Sequence, residues 1–251
     1  VKICRYTCGD TVEYGVIEGE EVVALKGDPL FGIEKTDTRR NCSDIKLLSP
    51  VQPSKVVAVG LNYQEHIDET GMDKPDAPVL FIKPSTSVIG PGEPIIYPPS
   101  AARVDYEAEL AVVIGKECKH VAASDVGDHI FGYTCLNDVT ERFMQGMDGQ
   151  WTRAKSFDTF CPIGPHIETD LDPKGLKIEA YLNDKQVQAA TTDMLIFGIE
   201  ELISFISGVM TLLPGDVIAT GTPSGIGPME PGDKIEIRIE GVGSLINSVE
   251  K

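Results

Sequence analysis

The chain reads as a strand-dominated α+β protein. Apolar and polar residues alternate in many short runs, the period of two that strands impose. Turn formers are abundant, 25 Gly and 17 Pro in 251 residues, which favours short strands and loops over a helical bundle. Only Ile199–Leu213 carries a strong helical period, with apolar residues at Ile199, Leu202, Ile203, Ile206, Val209, Met210 and Leu213.

The first residues, Lys2–Thr7, Val12–Ile17 and Glu21–Leu25, alternate and are separated by turns at Gly9-Asp10 and Glu18-Gly19. They predict a small N-terminal β-domain, residues 1–50, and a larger domain, residues 51–251. The polar stretch Glu34–Asp44 reads as a linker. Lys55–Val59 is apolar after its first residue and predicts a buried strand ending at Gly60, followed by a loop and short helix through Thr70. Pro78–Ile82 is a further strand. Ile89–Pro99 is too rich in Pro and Gly to be regular. Asp105–Ile114 and Ile130–Asn137 are β-like, and Leu176–Leu182 with Lys185–Ala190 predicts a hairpin around Asn183-Asp184. Leu213-Pro214-Gly215-Asp216 stops the long helix, and Val217–Ala219 leads into the Gly-rich loop Thr220–Gly227. Alternating Ile235, Ile237 and Ile239 pair with Ser244–Val249 in a terminal hairpin.

The formal net charge of −17 argues against nucleic acid or an anionic membrane as partner. An anionic ligand would therefore need a local positive site. The six cysteines form no CxxC pair and no zinc-finger spacing. No secretory leader and no apolar run long enough to span a bilayer is read, so the expectation is a cytoplasmic, reduced protein.

Candidate chemistry starts at Val104–Ile114. In an extended strand Asp105, Glu107 and Glu109 point one way, and Ala111 and Val113 continue that face as apolar residues. Carboxylates crowded at the edge of a core need a cation, a shared proton or open water. Alternating Glu is also common on solvated sheets. A third acid, Asp138, closes the next β-like run and adds weight to a hard divalent metal bound through oxygen.

His66 follows the first buried strand, with Glu69 at i+3 if the segment is helical. A carboxylate so placed would orient the imidazole as a general base. Arg142 and Gln145 share a helical face, and Arg suits a carboxylate. Lys155 lies among small neighbours, where a partly buried ammonium wants an anion. The Thr220–Gly227 loop lacks the Lys of a P-loop. Its backbone N–H groups and the Thr222 hydroxyl could bind a carboxylate, and a plain turn is an equal reading.

Six segments in order resemble the fumarylacetoacetate hydrolase family. They are Gly60-Leu61-Asn62-Tyr63 with Glu65, His66 and Glu69; Phe81–Ser85; Asp105–Leu110; Asn137–Thr140 with Arg142; Trp151 with Ala154–Asp158; and Thr220–Pro223 with Gly225–Gly227. The resemblance implies a mixed β-roll around one divalent metal, usually Mg2+, sometimes Mn2+ or Ca2+, and a homodimer. It makes Glu107, Glu109 and Asp138 the metal ligands, and His66 and Glu69 a catalytic dyad with Lys155. Arg142, Gln145, Thr222 and Lys83 become substrate contacts. No further upstream carboxylate ligand can be placed, so the chain resembles the shorter, three-carboxylate branch. The expected function is metal-dependent enolate chemistry on a small 2-oxo acid: acylpyruvate hydrolysis, decarboxylation or keto–enol tautomerisation. An isomerase of unsaturated diacids in aromatic catabolism is an alternative. A non-catalytic Ca/Mg-binding β-protein is the alternative of another class.

Overall fold

The computed structural model describes residues Val1–Lys251. Its largest sheet has 12 strands, and the site sits where that sheet meets a smaller one. Along the large sheet run Lys35–Asn41, Glu21–Leu25, Thr11–Glu18, Lys2–Cys8, Cys161–Glu168, Ile130–Asn137, Ala108–Ile114, Val217–Ala219, Lys55–Gly60 and Val79–Pro84. A five-stranded sheet contains the predicted hairpin, Lys177–Leu182 with Lys185–Thr191, and the terminal pair Lys234–Ile239 and Gly243–Glu250. Asn183 and Asp184 both take positive φ, the geometry of a tight two-residue turn. The four α-helices are α1 (Gln64–Thr70), α2 (Arg142–Asp148), α3 (Thr152–Lys155) and α4 (Ile199–Val209).

Alternation along the strands divides the core. Leu110, Val112, Ile218 and Val57 pack with Ile178, Ile237, Leu245 and the α4 residues Leu202, Ile203 and Ile206. The opposite face carries Ala111, Val113, Leu136, Ala219 and Ile163, as the row from Glu107 through Val113 predicts. The Lys55–Gly60 strand, apolar from Val56 on, pairs in parallel with Val217–Ala219, and its Val56, Val57 and Ala58 are completely buried.

Several expectations need correction. The Glu34–Asp44 stretch is not a linker: Lys35–Asn41 is an edge strand paired with Glu21–Leu25. Its polarity suits an edge, and Lys35 and Arg39 pair with Glu18. Ile89–Pro99 holds two short strand pieces, one ending at Ile89 and one at Ile95–Ile96, each paired in parallel with a longer strand. Helix α4 ends at Val209, earlier than its apolar period, because Leu212 exchanges both backbone hydrogen bonds with Cys118. The N-terminal meander is stitched to the large sheet through Lys2 opposite Glu168 and Ile3 opposite Ile167. All six cysteines are free. No helix is long and apolar enough to cross a membrane.

Candidate active site

The run from Val104 to Ile114 is two strands, not one. Val104–Tyr106 lies in a three-stranded sheet and Ala108–Ile114 in the large one, with Glu107 at the corner. The cause lies across the sheet. The Glu107 N–H donates to the Asn137 side chain at 2.9 Å, and the Asp138 N–H donates to the Glu107 carbonyl at 2.9 Å. Pairing Ala108 with Asn137 thus sets Glu107 beside Asp138. Asp105 turns away from the cluster and instead accepts from Arg103 and Arg142.

Glu107, Glu109 and Asp138 bring one carboxylate oxygen each to within 4.8 Å of the others, and all three are buried. Burial pushes the Glu107 carboxyl up, but Lys155, Arg142 and His66 outweigh it and hold it well below the usual carboxylate range. Glu109 goes the other way. Burial, then Asp138 and Glu107, push it well above that range, and its one hydrogen bond comes from the Gly221 N–H at 2.8 Å. The cluster is therefore short of positive charge at Glu109. An all-oxygen donor set with this deficit fits a hard divalent cation.

Two lysines hold the other acids. Lys155 Nζ donates to Glu107 at 2.7 Å and Asp138 at 2.6 Å, and lies 5.0 Å from the centre of the Phe81 ring. Burial disfavours its charge, but Asp138 and Glu107 prevail and raise its pKa above the ordinary lysine value. Lys83 is completely buried and donates to Asp138 at 2.5 Å and the Val139 carbonyl at 3.1 Å. It does not line the cavity, so the structure sets it behind Asp138 rather than at a substrate's carboxylate. Arg142, at the start of α2, donates to Glu107 at 2.5 Å, Asp105 at 2.9 Å and Gln145 at 2.6 Å. The helical spacing of Arg142 and Gln145 thus becomes a direct contact.

His66 and Glu69 meet on α1, with Nδ1 3.3 Å from the carboxylate. The other Glu69 oxygen accepts from the Gly225 N–H at 3.0 Å, tying the helix to the Gly-rich loop. Gly225 has φ +96° and a Cβ there would meet the Val187 carbonyl at 2.2 Å, so only glycine fits. In the same loop Thr222 Oγ1 accepts from Gln188 at 2.9 Å, leaving its own proton free.

One cavity of about 340 Å³ is lined by Glu107, Glu109, Asp138, His66, Glu69, Lys155, Arg142, Gln145 and Thr222. Trp151 and Phe81 form an aromatic wall, edge to face at 5.3 Å. Sequence reasoning missed supporting polar groups. Gln188 clamps Thr222 and Ala108, and Asn62 ties the Phe197 backbone to Thr220. Arg103, also in the lining, was missed as well. Its one local signal was its place two residues before Asp105.

A β-rich fold with a buried three-carboxylate cavity beside a His–Glu pair defines the class. The chain belongs to the fumarylacetoacetate hydrolase family. The Fumarylacetoacetate (FAA) hydrolase C-terminal domain matches residues 55–250, and an Rv2993c-like N-terminal domain matches residues 1–50. An uncharacterized protein of Archaeoglobus fulgidus is 54% identical over 207 residues, 82% of this chain and 83% of that protein. Rat mitochondrial oxaloacetate tautomerase Fahd2a is 42% identical over 219 residues, 82% of this chain and 70% of that protein. The crystal structure of 2-hydroxyhepta-2,4-diene-1,7-dioate isomerase from Mycobacterium marinum superposes with a TM-score of 0.93 at 43% identity, covering 99% of this chain and 98% of that one.

Proposed function

We propose that the protein is a divalent-cation-dependent enzyme that moves a proton beside the keto group of a small 2-oxo acid, by keto–enol tautomerisation or 1,3-isomerisation. One observation carries the reading: three buried carboxylates, a His–Glu pair and a buried ammonium converge on a single cavity. Family relatives that are a tautomerase and an isomerase support it. Glu107, Glu109 and Asp138 would hold the cation, Mg2+ by preference and Mn2+ or Ca2+ in its place, which would supply Lewis-acid stabilisation of negative charge on the keto oxygen.

The chain's own groups do the rest. His66, oriented through Nδ1 by Glu69, carries the proton at the carbon next to the keto group through its other ring nitrogen. Lys155 contributes positive charge to the developing oxyanion and keeps Glu107 and Asp138 ionised and aligned. Arg142 has five N–H donors and spends three on Asp105, Glu107 and Gln145, so two remain for a substrate oxygen. Gln145 accepts through its carbonyl and offers its NH2. The free Thr222 proton suits the carboxylate end. Lys83 acts as a positioning residue for Asp138. A purely structural cation site would need neither the dyad nor a free Thr222 donor in the same cavity.

The test is turnover of oxaloacetate and acetylpyruvate with Mg2+ and with chelator. Enol–keto exchange of oxaloacetate should depend on the cation, and His66→Ala should lower kcat by about 10²–10⁴-fold. Cleavage of acetylpyruvate as the faster reaction would move the assignment to C–C hydrolysis. Full activity of His66→Ala in chelator would overturn the proposal.

A further inference from the structure

Arg103 is the basic cavity residue that the reading above leaves without a task. Its side chain is 40% exposed, against 19% for Arg142 and 3% for Lys155. It lines the cavity, yet one edge of its guanidinium is fixed: Nε and Nη2 donate to the two oxygens of the fully buried Asp105, at 2.7 and 3.0 Å. Nη1 has no partner. A guanidinium held along one edge has lost much of its rotamer freedom already, so a ligand carboxylate met by the other edge costs little further ordering.

Charge pairing points the same way. Asp105 also takes Arg142 Nε, so one acid serves two guanidinium groups. An Arg serving only to neutralise Asp105 would be redundant with Arg142.

We propose that Arg103 is a substrate-binding residue that takes the second, distal carboxylate of a 2-oxo dicarboxylic acid and so selects diacids over 2-oxo monoacids. This rests on the proposed function for the 2-oxo end and adds the class of substrate.

Trp151 is the chain's single tryptophan and lines the cavity, so its fluorescence reports binding without turnover. With saturating Mg2+, titration with 2-oxoglutarate and with 2-oxohexanoate compares ligands that differ at the distal end. The wild type should bind the diacid about tenfold more tightly, the low end for a charge-assisted hydrogen bond at a partly exposed site. Arg103→Gln should remove that preference and leave 2-oxohexanoate affinity within about twofold, and Arg103→Lys should restore part of it. Added salt should shrink the preference. Equal weakening of both ligands in Arg103→Gln would reduce Arg103 to a support for Asp105 and overturn the proposal. So would a wild type that does not distinguish the ligands while binding both. Failure of either ligand to bind the Mg2+-loaded wild type would instead remove the 2-oxo-acid reading, and the subsite with it. A thermal melt of each variant separates these outcomes from a damaged fold.

Discussion

Lys155 keeps its charge although it is almost fully withdrawn from water, because two carboxylates lie within hydrogen-bond distance. Glu107 is the hub of that arrangement, bonded to both Lys155 and Arg142. Glu107→Gln keeps the shape and removes the charge. Its expected outcome is a loss of cation-dependent activity of at least about 100-fold, in line with a removed charge-stabilising group. Mg2+ is expected to raise the Tm of the wild type and to leave that of the variant unchanged, since a cation binding only the folded state stabilises by mass action. Full activity and an unchanged Mg2+ shift would take Glu107 out of the ligand set. At this scale the sequence was readable where periodicity is local. Glu107 and Glu109 alternate on a strand, and His66 and Glu69 share a helical face. The Lys83–Asp138 pair was not readable, because the two lie 55 positions apart and no local pattern joins them.

Among the elements, the strand Lys55–Gly60 closely approaches Trp151, the residue before α3. A Cβ on Gly60 would lie 2.2 Å from the Trp151 ring, just before α3 and Lys155. Gly60→Ala should therefore push Trp151 off the cavity wall. The expected effects are a destabilisation of about 1–3 kcal/mol by overpacking, a shifted tryptophan emission and a raised KM. Unchanged emission with full stability would mean that the wall has slack the geometry does not suggest. The strands themselves follow from alternation and turn residues, the Asn183-Asp184 hairpin most clearly. The corner at Glu107 does not, because it is made by Asn137 from another strand. The early end of α4 likewise reflects the pairing of Leu212 with Cys118, which competes with the helical period.

Across the whole molecule, the N-terminal meander joins the main sheet beside His166 on the Cys161–Glu168 strand. Burial, then the nearby positive charge of Lys2, lower the His166 pKa to about 4, and its Nε2 has no partner. The unfolded chain binds a proton near the ordinary value of about 6.5 that the folded chain refuses. Stability from this group is complete above that value, falls as pH drops through it, and levels off below about 4. The loss is on the order of 3 kcal/mol. Urea midpoints between pH 7 and 4 should fall steeply for the wild type and less so for His166→Gln. Parallel curves would assign the acid sensitivity to other groups, such as Glu168, whose carboxylate accepts from the Asp170 N–H.

By itself the sequence determined the strand-rich architecture, the two-faced core rows and most of the acids and bases that line the cavity, because side-chain alternation and helical spacing are properties of neighbouring residues. Only the tertiary structure decided that Asp138 meets Glu107 and Glu109, that Asp105 leaves them for two arginines, and that Lys83 lies behind the cluster while Arg103 faces the cavity. Those outcomes depend on strand register between distant segments, where each buried charge must find its partner across the sheet.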